Sequence, residues 1–149
     1  MVTATLRQAG PQDLDFMWSV YSDVVRPQIV ALLNLRWVDD DEKRRLLATL
    51  NIDEVRIASV DGADVGWMAM RETDTEFVVD HGYLIPTFRR KGIGSRVLGE
   101  IIDTADKRRK PIRLAILQTC QYPQFFTQLG FAKVSEDQIT ITMTRATPA

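Results

Sequence analysis

The sequence predicts an α/β domain, and three stretches carry that prediction. An extended apolar segment, Glu76–Ile85, closes on Pro86 and is followed by Arg89-Arg90-Lys91-Gly92-Ile93-Gly94. Beyond these glycines Ile93, Val97, Leu98, Ile101, Ile102 and Ala105 recur at helical spacing, so a strand feeds a helix through a glycine-bearing turn. A second apolar run, Ile112–Leu117, leads to Phe125-Phe126-Thr127-Gln128-Leu129-Gly130-Phe131, which reads as a short aromatic helix. Upstream, Val55–Val60 and Val65–Met70 flank Asp61-Gly62-Ala63-Asp64, the pattern of a hairpin.

The remaining elements follow in order. Ala4–Gln8 alternates as a first strand, and Gly10-Pro11 is a turn with proline near a helix start. Leu14, Met17, Trp18, Tyr21, Val24 and Val25 form one apolar stripe of a helix. Pro27 lacks an amide donor, so the helix is expected to end or kink there, with Ile29 to Leu35 resuming at another angle. Asp39-x-x-Glu42 resembles a capping box opening the helix that carries Leu46, Leu47 and Leu50. Glu76–Ile85 is the central strand, Gly92–Arg109 a helix, Ile112–Leu117 a strand and Tyr122–Leu129 a short helix. Lys133–Glu136 and Ile139–Thr144 close the chain as an antiparallel pair turning near Gln138.

A chain of 149 residues, 45% of them hydrophobic, can bury one substantial core, and nothing in it suggests a linker or repeat. A single domain over residues 1–149 is expected. The net charge of −1 argues against nucleic acid or an anionic membrane as a constitutive partner. No apolar run is long enough to span a bilayer, the N-terminus lacks a signal peptide's apolar core, and one cysteine fits a reducing compartment. The expected location is the cytoplasm.

The glycine turn also carries chemistry. Gly92 and Gly94 have no Cβ, so a ligand can approach the backbone closely. The amides of Ile93, Gly94 and Ser95 belong to a first helical turn, where they have no intrahelical partner and mark the positive end of the dipole. With Arg89, Arg90 and Lys91 beside them, they make a cradle suited to a pyrophosphate.

The order strand, Arg-x-x-Gly-x-Gly, helix, strand, short helix, Leu-Gly-Phe, strand resembles the GNAT acetyltransferase superfamily, most strongly from Glu76 to Phe131. Arg26-Pro27 followed by a tryptophan-bearing segment looks like a bacterial branch of small single-domain members. The resemblance implies a mixed, mostly antiparallel sheet with helices on both faces. It also implies that Glu76–Ile85 and Ile112–Leu117 form a splayed parallel pair at the sheet's centre. It implies acetyl-CoA as co-substrate, with pyrophosphate on the glycine turn and no metal. A backbone amide at Leu84 or Ile85 would meet the acetyl carbonyl, and Phe125 and Phe126 would flank the cofactor's other side. Cys120 stands where members often carry an asparagine that contacts pantetheine, with Thr119 and Gln121 as polar neighbours. Phe126 stands where they usually carry a tyrosine that protonates the departing sulfur, and it has no proton to give.

Acetyl transfer to an amine needs a base, because an alkylammonium has a pKa of about 10.4. His81, Asp80 and Glu76 lie on the central strand. In regular pairing Asp80 and Glu76 share a face with Leu84, whereas His81 and Tyr83 take the other; one extra residue in a bulge reverses that parity. By resemblance, His81 stands where the branch commonly has a glutamate, which favours it slightly as base. Tyr83 and Tyr122 could serve as replacement proton donors, although packing is the favoured role for both. Cys120 as an acetyl-carrying thiol would need His81 to ionise it, and an inert small residue is the simpler reading. Lys107-Arg108-Arg109-Lys110 reads as a solvated helix C-terminus. The leading expectation is acetyl-CoA-dependent transfer to a primary amine of a small molecule, peptide or protein, with a second copy of the chain, as a homodimer, among the partners considered. The rival is a catalytically weak acyl-CoA-binding domain.

Overall fold

The computed structural model describes residues 4–34, 36–89, 91–120 and 122–147. Strand β1 (Ala4–Gln8) leads through a 3₁₀ turn at Pro11–Asp13 into helices α1 (Leu14–Leu33) and α2 (Asp39–Thr49). Strands β2 (Val55–Val60), β3 (Ala63–Glu72) and β4 (Phe77–Leu84) precede helix α3 (Ile93–Lys107). Strand β5 (Ile112–Leu117), helix α4 (Pro123–Gln128), and strands β6 (Ala132–Glu136) and β7 (Thr140–Arg145) complete the chain. The strands form one sheet in the order β1-β2-β3-β4-β5-β7-β6, in which β4 and β5 are parallel and all other neighbours antiparallel. This is the mixed α/β architecture expected from the sequence.

Alternation along β3 shows how the sheet makes two cores. Trp67 and Ala69 point to one face, where Met17 and Val20 of α1 and Leu46 of α2 cover them. Met68 points to the other, against Leu98, Ile101 and Ala105 of α3. Trp67 and Met17 are essentially sealed from water, and the indole Nε1 donates to Met17 O at 2.9 Å, so α1 is tied to the sheet as well as packed on it. No helix among the described residues is long and apolar enough to cross a membrane.

Several local expectations are corrected. Pro27 neither ends nor interrupts α1, which runs to Leu33; Leu35 lies outside the described residues. Proline's cost is a lost bond and a clash with the carbonyl four residues earlier. Pro27 is exposed, so the Asp23 carbonyl can turn to water, and the Gln28 side-chain amide donates to Val24 O at 2.8 Å. The capping box at Asp39 does not form. Val38 is the N-cap, Glu42 N bonds Val38 O at 3.0 Å, and Asp39 accepts from Trp37 Nε1 at 2.7 Å. The acids Asp39, Asp40, Asp41 and Glu42 lie inside the first turn, where the dipole favours them. The hairpin after β2 is tighter than four residues. Val60 pairs with Ala63 around Asp61 (φ 51°) and Gly62 (φ 84°), both left-handed, as a two-residue primed turn requires.

The basic run after α3 is not a free solvated end. Arg108 caps the helix and pairs with Glu72 of β3, and Lys110 reaches the same carboxylate at 2.7 Å. These two cations, Lys110's hydrogen bond first, hold the Glu72 carboxyl below its ordinary pKa.

Candidate active site

The site begins where β4 and β5 part company. Their parallel pairing covers Phe77↔Ile112, Val78↔Arg113 and Val79↔Leu114, and stops there. At the same level β4 carries a bulge: Met70 of β3 faces Val79, Ala69 faces His81, and Asp80 is the extra residue. A bulge reverses side-chain parity beyond it. Val79, Gly82 and Leu84 therefore face α3, while His81 and Tyr83 face α1 and α2. Gly66 of β3 permits this packing, because a Cβ there would collide with Tyr83 O and press on Leu84.

On the α3 side the splay opens into an apolar pocket of about 200 Å³. Val79, Leu84 and Leu114 line it from the strands, Gly94 from α3, and Phe125 and Phe126 from α4. Phe126 is held edge-on to Phe125 (5.1 Å) and Phe131 (6.2 Å), so the ring is fixed as a wall. Gly92 caps α3 with φ 78°, a left-handed conformation that favours glycine, and a Cβ on it would meet nothing within 4 Å. The first intrahelical bond is Arg96 N to Gly92 O at 3.1 Å, so the amides of Ile93, Gly94 and Ser95 precede the ladder. The turn thus offers open backbone donors at a helix's positive end, above an apolar pocket. That suits an anionic head on an apolar arm.

The other predicted residues divide clearly. Ile93 is 2% exposed, packs with Ala58, Val60 and Val65, and borders the apolar pocket. Arg89 and Lys91 are exposed, with Lys91 Nζ 5.6 Å from the Phe88 ring centroid; Arg90 lies outside the described residues. Ile85's amide is already bonded to Val65 O at 2.8 Å, which corrects its candidacy as the free donor. In an antiparallel ladder the preceding residue turns its amide to the opposite side. Leu84 N–H is therefore directed toward the gap that β5 leaves. Cys120 is half-buried in the turn after β5, its amide bonded to Leu117 O at 2.9 Å. It does not line the apolar pocket. Thr119 Oγ1 is engaged with Gln28 Oε1 at 2.7 Å, and Gln121 lies outside the described residues.

On the α1 and α2 side His81 and Tyr83 are joined: Nδ1 and the phenolic oxygen are 2.7 Å apart. Trp67, Tyr21 and Tyr83 surround the imidazole at ring-centroid distances of 5.4, 6.4 and 5.7 Å. Burial holds the His81 pKa below its ordinary value, and the charge of Asp80 opposes that shift only in part. The ring is thus biased toward the neutral form, the one that can accept a proton. Burial also raises the Tyr83 pKa, and Tyr21 raises it further, so the phenol keeps its proton. Tyr83 reaches the apolar pocket as well.

Asp80 and Glu76 fare less well as bases. Asp80 is exposed and paired with Arg71 at 3.1 Å. Glu76 lies at the paired end of β4, where it accepts from Arg113 Nε at 2.7 Å, away from the splay. Below His81 a polar cleft of about 360 Å³ is lined by Thr49, Asn51, Glu54, Arg71 and Asp80. Sequence reading missed this cleft. Its walls come from the end of α2, the turn before β2, and the bulge, and no spacing in the chain links them.

A family model of the acetyltransferase (GNAT) domain matches residues 51–133 of this sequence. The chain belongs to the GNAT acetyltransferase family. The matched stretch of this GNAT domain contains the bulge, the glycine turn and the aromatic helix. Among solved structures, it superposes on the ribosomal-protein-S18-alanine N-acetyltransferase of Escherichia coli with a TM-score of 0.71 at 14% identity, covering 99% of this chain and 96% of that one. PaiA N-acetyltransferase of Thermoplasma acidophilum, in complex with coenzyme A, gives 0.65 at 17% identity, covering 97% and 99%. PH1933 of Pyrococcus horikoshii OT3 gives 0.73 at 17% identity, covering 99% and 100%. At these identities the likeness is one of fold. No curated protein matches this GNAT domain in sequence.

Proposed function

We propose that this protein transfers the acetyl group of acetyl-CoA to a primary amine, with His81 as base and Tyr83 as acid. The observation that carries this reading is the 2.7 Å hydrogen bond between them, because its two members line different cavities. The amides of Ile93, Gly94 and Ser95 would hold the pyrophosphate, with Arg89 and Lys91 beside them, and the apolar pocket would take the pantetheine arm. Acetyl-CoA supplies an activated thioester. Leu84 N–H would donate to its carbonyl oxygen as negative charge develops there.

The proton balance fits the tautomer in which His81 Nδ1–H donates to the Tyr83 oxygen. Nε2 then has a free lone pair and no hydrogen-bond partner among the described residues. As the amine's N–C bond forms and the C–S bond breaks, Nε2 accepts the proton of the amine. The Tyr83 hydroxyl protonates the departing sulfur, and Nδ1–H returns a proton to the phenolic oxygen. One proton has moved from nitrogen to sulfur, and both side chains end neutral. A binding-only reading rests on Phe126, which lacks the usual hydroxyl; Tyr83, which also lines that pocket, is the phenol this reading puts in its place.

An assay of free CoA release over a panel of primary amines, run beside calorimetry with acetyl-CoA, tests this function. Tyr83→Phe should lower kcat by on the order of a hundredfold with acetyl-CoA affinity retained. Phe126→Tyr placed in that background should recover part of the loss, because it restores a hydroxyl to the pocket wall. Tyr83→Phe turning over as fast as the parent would remove Tyr83 from the mechanism.

A further inference from the structure

The polar cleft under His81 has a sign. Glu54 is half-buried on its wall and makes no ion pair among the described residues. Asp80 and Arg71 also line it and neutralise one another at 3.1 Å. Thr49 and Leu50 bring the C-terminal end of α2 to its rim, the negative end of that helix's dipole. His81, biased neutral, contributes no compensating charge. What remains is one carboxylate and a partial negative charge facing about 360 Å³ of open space.

We propose that this cleft receives the body of the acceptor, and that the body carries a positive charge separate from the amine that is acetylated: a second ammonium or a guanidinium, as in a short aliphatic diamine. The proposal rests on the acetyl-transfer reading of the same site. Carboxylate-bearing acceptors are disfavoured on the same geometry. Arg71, the one cation on the wall among the described residues, is held by Asp80, so a carboxylate would face Glu54 without a free partner. The reacting amine is placed at His81 because that residue alone belongs both to the cleft and to the hydrogen bond leading to the apolar pocket.

Three acceptors with the same five-carbon chain separate the possibilities: cadaverine, n-pentylamine and δ-aminovalerate. With acetyl-CoA saturating, kcat/KM should fall in that order, with at least about a tenfold step between the first two. Glu54→Gln should collapse that step through the KM for cadaverine and leave the acetyl-CoA Kd unchanged. Calorimetric binding of cadaverine without acetyl-CoA should weaken about tenfold in the same variant, which gives a readout independent of turnover. Equal use of the three acceptors, preference for δ-aminovalerate, or cadaverine binding indifferent to Glu54→Gln would each overturn the assignment while acetyl transfer stood. Cadaverine binding that depends on Glu54, with no CoA released from any amine, would instead support the cleft and refute acetyl transfer.

Discussion

His81 is decided by its neighbours rather than by its type. Enclosed by Trp67, Tyr21 and Tyr83, its cationic form is penalised, and the charge of Asp80 offsets this only in part. Two pH dependences follow. The acetylation rate with a saturating amine should rise with pH through an apparent pKa below the ordinary histidine value of about 6.5. His81→Ala should remove that limb from the pH–rate profile. Stability carries the same sign. Because the folded pKa is depressed, the unfolded chain binds the proton more readily, so His81's contribution is full above about pH 6.5 and declines as pH falls toward the folded value. Asp13 behaves similarly in a lower window. Its side chain is nearly buried, Arg7 grips both oxygens at 3.0 and 2.8 Å, and Gly10 N–H adds a bond at 2.9 Å. The Arg7 bonds, first among these causes, lower its pKa, so this stability is present above the ordinary aspartate range and lost as pH falls below it. Asp13→Ala should cost about 2 kcal/mol in denaturant titration, since it strips partners from Arg7 and the Gly10 amide together.

At the scale of elements, the bulge in β4 does what no single residue does. It rotates Leu84 toward the α3 pocket and His81 and Tyr83 toward α1 and α2, while leaving their chain positions adjacent. Deleting Asp80 should close the bulge with His81 still opposite Ala69 and Tyr83 still opposite Trp67, so both keep their face and CoA release should persist. Asp80→Asn keeps the bulge and should also keep most of the rate; CoA release falling to background on deletion alone would show that the bulge shapes the site beyond setting which face each residue takes. The turn before α3 is tested separately. Gly94→Val would put branched carbons on the pocket wall near Phe125, which lies 3.7 Å from where a Cβ would sit. Acetyl-CoA affinity should fall at least tenfold, about 1.4 kcal/mol, by calorimetry. These elements were not equally legible. The strand–glycine turn–helix junction could be read from spacing because glycine and helical periodicity are local signals. The bulge was foreseen only as a possibility, since an extra strand residue leaves no local mark and depends on the register with β3. Pro27 misled for a related reason: its penalty is local, while the exposure and the Gln28 bond that offset it belong to the folded helix. The cleft at Glu54 was invisible, because residues from distant parts of the chain meet only in the fold.

At the scale of the molecule, one sheet serves two cores, and it is unzipped at its centre where β4 and β5 separate. Met17, fully buried on the inner face of α1, belongs to one core, and Ile101, 4% exposed on α3, to the other. Both cores rest on β3, through Trp67 and Ala69 on one face and Met68 on the other. Loss of either layer therefore exposes a face of the shared sheet, and the two should unfold together despite the splay. Met17→Ala and Ile101→Ala should each cost roughly 2–5 kcal/mol as large-to-small core changes. At this chain length each kilocalorie should lower Tm by about 2–4 °C. Single-domain cooperativity requires that far-UV and near-UV transitions coincide in both variants. With no shared packing partner between the two sites, the double variant should lose close to the sum of the two single effects. A Met17→Ala transition that splits in two, with β5, α3 and β7 surviving the first step, would mean that the splay divides the molecule. Acetyl-CoA bound to the α3 side would then stabilise only the second transition.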